Sequence, residues 1–167
     1  IKTNPFGNFK IKKGVSNRTY INELEVKKIA ELRLFNDGEA NARDMFLFAC
    51  YTGLRFSDLI NITWNNIQTI TDKKGKKIKI ISFINVKTDL KTEIPLIDEA
   101  WEILKNKDKK AKYVFHPITN QKFNEHLKTL RTKSGLVKNL TAHIARHTFA
   151  TLALTKGIPI EVVSSLL

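Results

Sequence analysis

Cysteine is almost absent from this 167-residue chain. Cys50 stands alone, so there is no partner for an internal disulfide and no thiolate set for a zinc cluster. Disulfide scaffolds and zinc fingers are excluded on that count. Glycine and proline are sparse, at seven and four, while apolar residues make up 42% of the chain, a composition that excludes collagen-like and intrinsically disordered chains. No run of about 18 uncharged apolar residues occurs and no basic-then-apolar leader opens the chain, which predicts a cytoplasmic protein with no membrane partner. The length suits about one domain with a core of its own. Negative charge is also scarce: 16 acidic residues face 29 Lys plus Arg, leaving a formal charge of +13 and a pI near 9.9.

An excess of 13 positive charges on a domain of this size points to a polyanionic partner, nucleic acid first, through counterion release and steering. A plainer reading is solubility, since Lys73, Lys74, Lys76 and Lys77 around Gly75 also suit a solvated turn. Composition leaves both open.

Ile1 to Arg18 carries Pro5, Gly7, Gly14 and basic residues without a sustained period, and reads as a linker from an upstream domain, with 19–167 as the folded unit. At the other end Pro159 occupies a first-turn position, and its helix runs out at Leu166-Leu167 with no glycine or basic last turn, so the chain reads as cut short there. Asn22 and Glu25 have capping-box spacing ahead of Val26, Ile29, Ala30 and Leu32. Ala42, Met45, Phe46, Ala49 and Cys50 fall at i, i+3, i+4, i+7 and i+8, predicting a buried helix stopped by Gly53. A short helix should carry Ser57 to Asn61. β-rich stretches at Ile67 to Ile70, Lys77 to Val86 and Lys91 to Leu96 predict a three-stranded antiparallel meander. Helical spacing returns at Ala100, Trp101 and Leu104, at Phe123, Leu127 and Leu130, and from Thr141 to Lys156.

Three segments carry chemistry. In the first, Thr141 to His147, a Thr141 cap would put His143, Arg146 and His147 on one face near a helix N-terminus, where backbone amides and the dipole favour an anion. A packed histidine with Arg146 paired to a carboxylate is the common structural outcome for such a pattern. His143 and His147 also have the i, i+4 spacing of helical zinc ligands. Yet Ile144 rather than a glutamate follows His143, and Arg146 would set a fixed charge beside the metal. The third reading is a phosphoryl site, with Arg146 forking onto two non-bridging oxygens while His143 handles a proton. In the second segment, Thr52 to Leu59, Arg55 sits in a sharp corner between two helices, where it could equally form a structural pair with Asp58. The third, Asn85 to Asp89, places Lys87 at a hairpin turn within reach of a groove.

In this order and at these separations the segments resemble the catalytic domain of tyrosine recombinases, the phage-integrase family, from about Tyr20 to Leu167. Thr52 to Leu59 matches the form T-G-L-R-x-S-[ED]-L, and Lys87 to Leu96 matches K-T-x-x-x-x-x-x-P-L. His143 to Thr151 matches H-x-x-R-H-T-F-A-T, and Gly157-Ile158-Pro159 before a short helix is also usual in the family. The resemblance implies an α+β fold: a mainly helical, DNA breaking-rejoining-like catalytic domain with a small three-stranded antiparallel sheet. It implies Arg55 and Arg146 as the pair on the scissile phosphate, Lys87 as general acid to the leaving 5′ oxygen, and His143 as proton handler and phosphate orienter. Asp58 would support Arg55, and His147 would have a supporting or structural role. No metal or other cofactor is implied.

The implied partner is double-stranded DNA, gripped by Lys73, Lys74, Lys76 and Lys91 of the sheet and by the lysines of 105–112. The parent protein would be a homotetramer on DNA, nucleoid-associated in a bacterial cytoplasm, and this piece a monomer. Asn4-Pro5-Phe6, Phe9 to Lys12 and Arg18-Thr19-Tyr20 are similar to mobile-element integrases of the Bacteroidetes. One part of the family pattern is missing. Its tyrosine nucleophile would lie beyond Leu167, and Tyr20, Tyr51 and Tyr113 match no such position. The piece should therefore bind DNA without cleaving it, and a non-catalytic module gripping backbone phosphates is the alternative.

Overall fold

The computed structural model describes residues 19–71, 75–84 and 89–167. Helices α1 (Glu23–Ala30), α2 (Asp37–Thr52) and α3 (Phe56–Leu59) lead through a single 3-10 turn at Trp64–Asn66 into three strands, β1 (Ile67–Thr71), β2 (Lys77–Ile84) and β3 (Lys91–Pro95). Helices α4 (Asp98–Lys105), α5 (Asn120–Ser134), α6 (Ala142–Thr155) and α7 (Ile160–Ser165) complete the chain. The α+β class and the small antiparallel sheet are those expected from the sequence.

Local chemistry sets the helix boundaries. At α1 the Asn22 side chain accepts the Glu25 N–H at 2.9 Å while the Glu25 carboxylate accepts the Asn22 N–H at 2.7 Å, a reciprocal capping box. Helix α6 starts where the Thr141 hydroxyl accepts the Ile144 N–H at 3.1 Å. Helix α2 stops at Gly53, whose φ of 71° is left-handed backbone that favours glycine.

The Ala42–Cys50 stripe is buried as its spacing predicts, but Leu47 and Phe48 are buried too, so α2 is enclosed on nearly every side. Helices α1, α4, α5 and α6 all pack on it, and each fully buried large side chain contributes about 1.5–3 kcal/mol. Phe48 meets Phe115 with ring centroids 5.4 Å apart, and Phe56 of α3 meets Phe123 of α5 at 5.2 Å. These contacts lock α3, and the corner that precedes it, onto the core.

In the sheet β2 is central and antiparallel to both neighbours, with Ile81 opposite Ile67 on one side and Ile94 on the other. Ile81 and Ile94 point into the core, and Lys79 lies over the Trp101 ring at 3.4 Å, fastening the sheet to α4. The structure differs from the sequence reading in small ways. Helix α3 begins at Phe56 rather than Ser57, and Tyr113 forms a lone bridge with Thr63. The linker assigned to residues 1–18, and the turns holding Lys73, Lys74 and Lys87, lie outside the described residues.

Candidate active site

The site is built on the Gly53 corner. After α2 the backbone runs so close to α6 that a Cβ on Gly53 would stand 2.6 Å from a ring carbon of Phe149. That contact holds the corner one helical turn from Arg146. Arg146 Nη1 donates to the Gly53 carbonyl at 2.5 Å, so the corner and the guanidinium position each other. Arg55 follows at the N-cap of α3, where its N–H donates to Asp58 Oδ2 at 3.3 Å and its carbonyl accepts the Leu59 N–H at 3.0 Å. Arg55 Nη2 donates to the backbone oxygen of Leu167, two residues past α7, at 2.9 Å.

Electrostatics bind these residues together. Asp58 is only 4% exposed, and its second oxygen, Oδ1, takes no hydrogen bond among the described residues. Arg146 is half-buried. Burial pushes its guanidinium down to about 10, the charge of Arg55 pushes the same way, and Asp58 pulls it back up. Arg146 thus stays protonated at neutral pH although a like charge is held close to it. The charges of Arg55 and Asp58 both act on Arg146, and two guanidiniums against one carboxylate in this neighbourhood leave a surplus of positive charge, the condition that favours a bound anion.

His143 and His147 stand on α6 to either side of Arg146 in sequence. Their Nε2 atoms are 2.8 Å apart and their rings meet edge to face, centroids 4.2 Å apart. His143 is exposed and faces solvent from the first turn of the helix. Among the described residues no group of three or more His, Cys, Asp or Glu could hold a metal.

The other residues singled out from the sequence are placed less centrally. Lys91 forms an exposed ion pair with Glu93 at 2.6 Å, a pair worth little in water. Lys91 lies opposite Ile84 at one end of the sheet, whereas Lys76 precedes β2 at the other, roughly 25 Å away for a strand of that length. Burial, then Cys50, Glu99 and Glu23, push the Tyr51 phenol up to about 12. Sequence reasoning missed two parts of the corner, the Gly53 carbonyl and the Phe149 ring. Their adjacency joins residues almost a hundred positions apart, and no local pattern encodes it.

The phage integrase family model matches residues 19–167. The chain belongs to the phage integrase family. It is 26% identical over 157 residues to the tyrosine recombinase XerD of Oceanobacillus iheyensis, covering 88% of this chain and 52% of that protein. It is 32% identical over 124 residues to XerD of Halalkalibacterium halodurans, covering 70% of this chain and 41% of that protein. The chain therefore spans about half the length of the curated relatives it matches. Its fold matches the crystal structure of XerA recombinase with a TM-score of 0.65 at 23% identity, over 95% of this chain and 57% of that one. It also matches XerH site-specific recombinase bound to its difH substrate, TM-score 0.68 at 18% identity, over 89% and 46%. A third match is the Tn1549 transposon integrase in complex with circular intermediate DNA, TM-score 0.61 at 17% identity, over 93% and 59%. Two of the family motifs quoted from the sequence, Thr52 to Leu59 and His143 to Thr151, build the Gly53 corner and the face of α6.

Proposed function

We propose that this chain is the catalytic-domain portion of a site-specific DNA recombinase that works by metal-free transesterification. A tyrosine oxygen attacks the scissile phosphorus and the bond to the 5′ oxygen breaks. The products are a 3′-phosphotyrosyl link and a free 5′ hydroxyl, and attack by a partner strand's 5′ hydroxyl reverses the step. Arg55 and Arg146 clamp the phosphate and stabilise the charge that grows on its equatorial oxygens. Lys87 protonates the leaving oxygen. His143 handles the proton at the nucleophile, and Asp58 holds Arg55. The attacking tyrosine comes from outside this chain, since none of its three tyrosines matches the family's position. The carrying observation is the convergence of Arg55, Asp58 and Arg146 at one corner, with like charges held together at the expense of Arg146's basicity. One such charge pair near 4 Å is worth roughly 4 kcal/mol at an effective dielectric of about 20, so losing either arginine should cost about three orders of magnitude in rate.

Double-stranded DNA is the partner, supported by the net charge and by relatives whose solved structures are DNA complexes. Lys73, Lys74, Lys76 and Lys91 grip its backbone, the parent assembles as a homotetramer on DNA, and this piece is a monomer in solution. Among the described residues no helix is long and apolar enough to cross a membrane. The test is covalent capture of DNA by the full-length parent on a suicide substrate, comparing wild type with Arg146→Ala and Lys87→Ala. Loss of the adduct in both variants supports the roles assigned. An undiminished adduct with Arg146→Ala overturns them, and a wild type that binds but never attaches favours the non-catalytic module.

A further inference from the structure

We propose that His147 is a positioning residue whose tautomer is tied to that of His143 across a shared hydrogen bond, so that the two imidazoles act as one proton-sharing unit. The inference rests on the recombinase reading for its consequence, but its physical basis stands apart. The two Nε2 atoms approach to 2.8 Å, a hydrogen-bond distance, with the rings edge to face at 78°. Two facing nitrogens can form that bond only if one carries a hydrogen and the other a lone pair. When both rings are neutral, the donor is therefore the Nε2–H tautomer and the acceptor the Nδ1–H tautomer, and the two cannot be alike. A proton added to the acceptor's Nε2 would face the donor's N–H and break the bond.

The helix makes this arrangement persistent. Residues at i and i+4 lie one above the other, so the backbone of α6 fixes the separation of the two rings before any ligand arrives. Arg146 lies between them in sequence, anchored through Gly53 and coupled to Arg55 and Asp58. The tautomer of His143 is thus tied to that of His147 within the same turn of helix that carries Arg146. For a group that must take a proton from a nucleophile and later return it, the defined tautomer matters as much as position. A motif reading assigns His147 no such task, and the 2.8 Å contact is what distinguishes it from a packing residue.

The experiment uses this chain labelled with 15N at histidine and long-range proton–nitrogen spectra without DNA. The expected result is opposite tautomers for His143 and His147 and a nitrogen–nitrogen coupling across the bond. Two variants then separate proton placement from packing. His147→Gln retains both a donor and an acceptor, whereas His147→Leu keeps volume and helix propensity but neither, and circular dichroism confirms that each folds. In the Gln variant the amide can donate to or accept from His143 Nε2, so the ring should stay hydrogen-bonded, and in the Leu variant it should relax to the mixture found in water. In the full-length parent the Leu change should slow adduct formation roughly 10- to 100-fold, with the Gln change restoring most of it. Identical tautomers in the wild type, or a Leu variant equal to wild type in both readouts, overturns the proposal. Opposite tautomers in a parent that never attaches to DNA uphold the pairing and remove only the recombinase reading.

Discussion

Replacing Gly53 with alanine tests whether the corner of the site is held by close backbone packing. Two costs are separable. Gly53 has φ of 71°, where an L-residue with a Cβ loses about 1–2 kcal/mol. The new Cβ would also stand 2.6 Å from the Phe149 ring, which is 9% exposed, and overpacking of this kind costs about 1–3 kcal/mol. Together they predict a loss of about 2–5 kcal/mol and a fall in Tm of roughly 4–20 °C for a domain of this size. The assay is thermal and urea unfolding of the purified chain, repeated in a Phe149→Leu background that removes the ring atoms in question. Because the ring contact is then gone, the double variant should be more stable than additivity by about 1–3 kcal/mol. A Gly53→Ala loss below about 0.5 kcal/mol, or strict additivity with Phe149→Leu, would refute the packing of the corner against α6.

Arg146→Lys keeps a positive charge but not the planar fork, so adduct formation by the full-length parent should fall about 100-fold or more, and a wild-type rate would show that charge alone suffices. Burial raises the Glu25 carboxyl, but the Lys138 hydrogen bond at 2.8 Å, the Asn22 N–H, and the charges of Lys138 and Lys28 outweigh it, so its pKa is lowered on folding. The stability this contributes is present above the usual glutamate range and is lost as pH falls through the folded value. Lys138→Met should therefore destabilise at pH 7 and converge with wild type in acid, and parallel curves would contradict it. Tyr51 is shifted the other way, up to about 12, so its contribution is full below about 10 and is lost as pH rises towards 12. Tyr51→Phe should flatten alkaline unfolding over that interval, measured by denaturant titration at each pH. Duplex DNA binding should weaken steeply with salt, and Lys76→Gln with Lys91→Gln should reduce the log–log slope by about 2, whereas an unchanged slope would remove both lysines from the interface.

Much of the architecture was legible because its signals are local. Asn22 with Glu25, Thr141 with Ile144, and Gly53 after a 3.6-period stripe each bring cap and helix within four residues, where backbone geometry alone decides the outcome. The β meander was legible for the same reason, since short β-rich stretches joined by turns pair with their neighbours in sequence. Burial around α2 was less so. Leu47 and Phe48 lie off the predicted stripe, and they are buried because helices from both halves of the chain enclose α2.

For the site, residue types and spacing identified Arg55, His143 and Arg146 as candidates, but each had an ordinary structural reading on its own. What the fold adds to these readings is distance. The Arg146 bond to the Gly53 carbonyl, the pressure of Arg55 on Arg146's proton affinity, and the facing nitrogens of His143 and His147 are facts of packing. Sequence by itself determined the helices, the sheet order, the excess of positive charge and the family motifs, because those depend on neighbours along the chain and on composition. Only the tertiary structure decided that two like charges share one half-buried corner with Asp58, since electrostatic coupling depends on separation in space and on the loss of water, and the chain order encodes neither.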